Sequence, residues 1–293
     1  MSEPVRSRPI GVFDSGIGGM TVVKELFSAA PQESIVYFGD TARLPYGSKS
    51  VETLQRFARE DAELLLSFDV KMIVVACNTL SATALDEVER KARGIPVIGM
   101  IGPCAHAAVR TTRNGKIGII GTEATIASQA YEAAIEEESR RAGIRCEVHS
   151  AACPLFVPLA EEGWTEHLAT ELIAESYLKE LRYRGIDTLI LGCTHYPVLS
   201  NVIQRTMGTG VTLVNSGAAA ASVVVELLET EREGEEGSVS IPHGSPEHRV
   251  LVSDVPRKFQ AIGERFLGRK LPDARLVTWK EAWTISGSME IPS

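Results

Sequence analysis

The sequence predicts an α/β protein of two pseudo-symmetric halves, each a mostly parallel sheet flanked by helices. Three observations lead there. Short β-branched runs alternate with segments of helical period, the mark of βαβ units. Two of these strand-and-turn units resemble each other across the chain. A length of 293 residues, at about 150 per domain, suits two domains and is enough to bury cores without disulfide or metal staples.

Ile10–Phe13 is the first strand, followed by the glycine-rich DSGIGG and the helical MTVVKEL. Ile35–Phe38 is the second. Val51, Leu54, Ala58, Ala62 and Leu65 recur every three to four residues and predict a helix over 51–66. Met72–Ala76 is the third strand, and Leu80, Ala84, Val88 and Ala92 line one face of a helix over 79–93. Val97–Gly99 and Lys116–Ile120 follow, and Cys146 falls in a further strand. Leu168, Leu172 and Leu181 mark a helix over 165–182. Thr188–Leu191, Val211–Val214 and Val250–Val252 complete the strands. Before the last of them, residues 230–248 are charged and rich in Gly, Ser and Pro, which reads as a surface loop or linker. Phe259, Ile262, Phe266 and Leu267 then give an amphipathic helix, and 283–293 read as a tail.

The internal similarity pairs MIVVACNT (72–79) with TLILGCTH (188–195). Each is a buried strand, a small residue, a cysteine and polar neighbours. A weaker echo pairs residues 10–26 with 117–133. Duplicated α/β halves would explain both.

Composition narrows the function classes. Hydrophobic residues make up 44% and charged residues 23%, which excludes collagen-like and disordered chains. A net charge of -8 without any basic run argues against nucleic-acid binding. No apolar run approaches the roughly 18 residues of a membrane span, and MSEPVRSRPI has no apolar signal core, so a cytoplasmic location is expected. Five cysteines at 77, 104, 146, 153 and 193, none in a CxxC, indicate free thiols and neither a disulfide framework nor a metal site.

Cys77 and Cys193 each stand where a parallel strand ends and a helix begins, the edge at which open α/β sheets bind ligands. A helix start also favours a thiolate. Taken alone, each cysteine reads first as core filling. Matching positions on matching segments, with Asn78 and Thr79 beside one and Thr194 and His195 beside the other, favour chemistry. Cys104, Cys146 and Cys153 lack that setting and are expected to be structural. His195 either tunes the Cys193 thiol and relays protons or caps a helix. DSGIGG (14–19) is neither a dinucleotide fingerprint nor a Walker loop, and it suits a small anion such as a carboxylate. Asp14 would repel a carboxylate there, but it can pair an ammonium group or move a proton. The Pro45–Gly47 turn carries Tyr46, and Glu161 alone reads as a solvated carboxylate. Thr122 and Thr125 sit at another strand-to-helix turn, where capping is the plain reading. Two thiols facing each other across a cleft suit proton removal on one face of a carbon and return on the other.

The ordered set FDSGIGG, GDTARLPYG, VACNT, FVPLAEEG and LGCTHYP, spanning roughly 8–270, resembles the glutamate racemases of the aspartate/glutamate racemase superfamily. The resemblance implies a cofactor-independent enzyme that interconverts L- and D-glutamate for peptidoglycan. Cys77 would work on the D-glutamate face with Asp14, and Cys193 on the L-glutamate face with Glu161 and His195. Asp14, Ser15, Pro45, Tyr46, Gly47, Cys77, Asn78, Thr79, Thr122, Thr125, Cys193, Thr194 and His195 would contact substrate. It also implies a homodimer, and two domains with the site between them. The first would be 1–103 completed by 216–282, the second 104–215. An aspartate or hydantoin racemase of the same superfamily, and a catalytically silent amino-acid-binding protein, are the alternatives.

Overall fold

A computed structural model describes residues 7–233, 245–255 and 258–277. Among the described residues, ten strands form two parallel sheets. The first sheet holds β1 (Ile10–Asp14), β2 (Ile35–Gly39), β3 (Met72–Val75), β4 (Val97–Ile98), β9 (His248–Val252) and β10 (Ala274–Leu276), in the order β10-β9-β2-β1-β3-β4. The second holds β5 (Lys116–Gly121), β6 (Glu147–Ala152), β7 (Thr188–Gly192) and β8 (Thr212–Asn215), in the order β6-β5-β7-β8.

The two orders correspond. In each sheet the first strand in sequence lies between the second and the third, and the fourth lies outside the third. The sequence echoes fall on this correspondence: β1 matches β5, and β3 matches β7. The C-terminal strands β9 and β10 extend the first sheet beyond β2, so that sheet is assembled from both ends of the chain. β1, β2 and β3 are buried along their whole length, which is why they read as unbroken apolar runs. β6 is an edge strand with only half-buried side chains, and it offers no such run.

Twelve α-helices flank the sheets among the described residues: α1 (Met20–Ala29), α2 (Val51–Leu66), α3 (Asn78–Thr83), α4 (Leu85–Ala92), α5 (Ile101–Thr111), α6 (Glu123–Ala127), α7 (Ala130–Ala142), α8 (Phe156–Glu162), α9 (Leu168–Tyr183), α10 (Ser200–Met207), α11 (Ser216–Glu233) and α12 (Phe259–Leu267). None is long and apolar enough to cross a membrane. Ser50 caps α2 by accepting from the Thr53 amide.

Three expectations are corrected. The helix over 79–93 is broken into α3 and α4 at Ala84, where the Thr83 hydroxyl bonds back to the Thr79 carbonyl at 2.7 Å. Its stripe of Leu80, Ala84, Val88 and Ala92 is nonetheless buried. On α9, Leu168 and Leu172 are exposed, while Thr170, Ala174, Leu178 and Leu181 face the core. At about 100° per residue, Leu172 and Leu181 fall on opposite sides of a helix, so they never formed one stripe. The start of the 230–248 segment is helical, since α11 runs to Glu233, and β9 begins at His248. Residues 234–244 and the tail at 283–293 lie outside the described residues.

Candidate active site

Cys77 is the N-cap residue of α3, just past the carboxyl end of β3. Cys193 follows the carboxyl end of β7, ahead of a 3-10 turn over Tyr196–Leu199 in which Pro197 sits in the first positions. Both thiols are buried. The register of β1 against β3 puts Phe13 beside Val75, and that of β5 against β7 puts Gly121 beside Gly192. Continued past the strand ends, it sets Ser15 beside Cys77 and Thr122 beside Cys193. Ser15 lies close enough to the Cys77 thiol to pull its pKa down against burial.

The two strand ends meet in one buried polar site. Burial pushes the Cys77 thiol up to about 12, and both Asp14 and Cys193 add to the rise. Asp14 is wholly buried. Its Oδ2 accepts from the Gly16 amide at 3.0 Å, while Oδ1 has no hydrogen-bond partner among the described residues. Burial raises its pKa against the pull of His195 on the other half. A buried carboxyl oxygen without a partner beside a thiol is a costly arrangement for structure alone.

On the second side, His195 lies between a thiol and a carboxylate. Its Nε2 is 2.9 Å from Glu161 Oε1, and its Nδ1 is 3.8 Å from Cys193 Sγ. Burial opposes charge on the ring, but the bonds to Cys193 and Glu161 outweigh it and raise the pKa to about 10. With both nitrogens protonated the ring donates to Glu161 and Cys193 together. It then supplies the positive charge that a thiolate at 193 would face. Phe266 of α12 packs edge-on against the ring at 5.4 Å, and Arg265 donates to the Glu161 carbonyl at 2.9 Å.

The sign of the His195 shift makes a prediction. An unfolded histidine titrates near about 6.5, below the folded value of about 10. Its stabilisation is therefore complete below 6.5 and is lost as pH rises through 10. The melting-temperature gap between the wild type and His195→Gln should be largest below about pH 6.5 and should close above the folded value of about 10.

Thr79, Thr122 and Thr125 form a hydroxyl triangle across the two halves, at 3.0, 3.3 and 2.9 Å. Thr122 also caps α6, so the capping and the site roles coexist. The Thr21 hydroxyl donates to the Thr194 carbonyl at 2.8 Å, tying α1 to the turn that carries His195. Gly18 explains the glycines of DSGIGG. A Cβ there would stand 2.2 Å from Thr194 Oγ1 and 2.6 Å from His195 Cε1. Gly18→Ala should therefore force this loop and the CTHYP turn apart. We expect a loss of activity of at least about tenfold, from misplacement of the reacting groups, read from steady-state kinetics beside a melting curve.

Tyr46 departs from the expected picture. Its side chain is buried and its hydroxyl is engaged by Asp40 and, at 3.3 Å, by Asp61. Arg43 bonds Asp40, Glu60 and Asp61, and its guanidinium lies 4.0 Å over Phe57. Burial and the neighbouring Asp40 hold the Asp61 carboxyl well above the usual carboxylate range. The Tyr46 hydroxyl is thus spent on holding the turn, and the backbone around Pro45–Gly47 is what faces the second half. There a Cβ on Gly47 would approach Thr122 to 3.3 Å. Asp40, Arg43 and Asp61 give no local sequence signal, because they are drawn together from a strand end, a turn and α2.

Matching sheets, each ending an internal strand in a cysteine over one shared polar site, define a two-thiol α/β protein of repeated halves. A family model described as Asp/Glu/Hydantoin racemase matches residues 10–224. The chain is 52% identical over 270 residues to the glutamate racemase of Chlorobaculum tepidum, covering 92% of this chain and 96% of that protein. It superposes on the glutamate racemase of Francisella tularensis in complex with D-glutamate with a TM-score of 0.84 and 40% identity, covering 94% of this chain and 98% of that one. The glutamate racemase of Thermus thermophilus in complex with β-chloro-D-alanine gives a TM-score of 0.81 and 41% identity, over 94% and 99%. The chain belongs to the Asp/Glu/hydantoin racemase family.

Proposed function

We propose that this protein is a glutamate racemase that needs no cofactor and uses Cys77 and Cys193 as its two bases. The observation that carries the reading is the placing of both thiols at matching strand ends, close enough that Cys193 acts electrostatically on Cys77. Homology to glutamate racemases along almost the whole chain supports the choice of substrate.

With L-glutamate bound, the Cys193 thiolate takes the Cα hydrogen as a proton. The C–H pair delocalises into the carboxylate and a new S–H bond forms. The Cys77 thiol then gives its proton to the opposite face of Cα, leaving a thiolate and D-glutamate. Cys77 is set up as the proton donor, because burial keeps it a thiol. The imidazolium of His195, held by Glu161, balances charge on the Cys193 side, and Asp14 with its free Oδ1 serves Cys77. Asn78, Thr79, Thr122, Thr125, Thr194 and the backbone of Ser15 and Pro45–Gly47 hold the substrate carboxylates and stabilise the charge that grows on them. D-Glutamate made in the cytoplasm would feed peptidoglycan synthesis, and the working form would be a homodimer of chains, each with a first domain of 1–103 completed by 216–282 and a second domain of 104–215.

Substrate choice is tested by following optical inversion of glutamate and aspartate by circular dichroism. Turnover of glutamate at least about a hundredfold above aspartate is expected, because aspartate is one methylene shorter and cannot bring both carboxylates to their donors at once. Preference for aspartate would move the chain to that branch of the family. Tight binding of glutamate without inversion would leave a binding protein.

A further inference from the structure

We infer that Tyr131 is a positioning residue for this site, orienting the Asn78 side-chain amide and bracing the backbone ahead of Cys193. The inference rests on the proposed reading that Asn78 holds substrate. Tyr131 lies on α7 in the second half and is only 1% exposed. Its hydroxyl reaches across to the first half and donates to Asn78 Oδ1 at 2.6 Å.

A tyrosine hydroxyl has one proton to give. Once that proton is committed to Asn78, the oxygen can only accept. The buried Cys104 lies next to Tyr131, and burial pushes its thiol up to about 12, so no thiolate there competes with Asn78 for the Tyr131 proton. The Tyr131 O–H is therefore given to Asn78 Oδ1. An amide whose oxygen is held in this way must turn its NH2 group the other way. There Nδ2 meets only Ser216 Oγ, at a long 3.4 Å, which leaves hydrogens for a substrate carboxylate.

The ring does a second job. A Cβ on Gly192 would stand 3.1 Å from Tyr131 Cε2 and 2.6 Å from the Ile120 carbonyl oxygen. The strand end before Cys193 is thus packed directly on this ring. Tyr131 touches the residue after one thiol and the residue before the other, although none of its atoms bonds to either sulfur among the described contacts.

Tyr131→Phe keeps the ring and removes the hydrogen bond. We expect KM for L-glutamate to rise about tenfold, the scale of one buried hydrogen bond, with kcat within about twofold. In an Asn78→Ala background the same substitution should add nothing, because the amide it orients is gone. On the free protein, hydrogen exchange of the Asn78 side-chain amide by NMR should be faster in Tyr131→Phe. That readout does not depend on the double variant folding. Unchanged KM in Tyr131→Phe, an equal effect in both backgrounds, or unchanged amide exchange would overturn the inference. If Asn78→Ala alone left KM at the wild-type value, the substrate role of Asn78 would fail first, and the inference with it.

Discussion

Replacing either Cys77 or Cys193 with alanine is expected to lower racemisation by about 10³-fold or more, at the upper end of what one positioned acid or base contributes. The effect should be large because the two thiols act in series. One breaks the Cα–H bond and the other completes the new one, and no other described cysteine sits at either strand end to replace them. The structural cost should be small by comparison, since alanine in place of a buried cysteine removes a single sulfur from each site. Circular dichroism of the fold and optical inversion of glutamate, measured on the same samples, separate the two effects. Turnover within tenfold of wild type in either variant would show that this thiol is core filling.

The second large effect is expected from Asp14→Asn, a loss of about 10²-fold in kcat/KM. Asparagine still offers an oxygen to the Gly16 amide, so a carboxylate serving only the loop would be replaced almost silently. Only a role for the charge, or for the proton carried by the unpartnered Oδ1, predicts a large loss. Enantiomers have equal energy in water, so kcat/KM must fall equally in both directions. The asymmetry appears in isotope effects instead. With Asp14 gone, proton transfer at Cys77 becomes the slower step. The primary deuterium effect from Cα-deuterated D-glutamate should rise above that from L-glutamate. Equal effects on both enantiomers would detach Asp14 from Cys77.

Strands β1, β2 and β3 were legible because they are buried along their whole length and carry continuous apolar runs. The edge strands β6 and β10 were harder to read, since an exposed strand needs no such pattern. The two thiols were legible as a pair because a duplicated unit repeats its strand-end chemistry. Glu161 was not. Alone on α8 it looks solvated, and its value comes from a contact with His195, 34 residues away. Tyr46 could be placed on its turn but not aimed, because its hydroxyl partners Asp40 and Asp61 lie on other elements. Asp14 looked out of place in an anion cradle, and the structure sets it against Cys77 and His195, both distant in sequence. Local pattern therefore revealed which strand ends matter, while the pairing of their side chains depended on how the two sheets dock.

The most direct measurement of the two-thiol reaction is incubation of the chelator-treated protein with L-glutamate in deuterated water, with Cα deuteration followed by NMR and inversion by circular dichroism. D-Glutamate that carries solvent deuterium at Cα from its first appearance is the expected result, because the proton returned by Cys77 comes from solvent and not from the substrate. D-Glutamate that retains the original Cα hydrogen would contradict two separate bases, and neither exchange nor inversion would contradict the reaction itself.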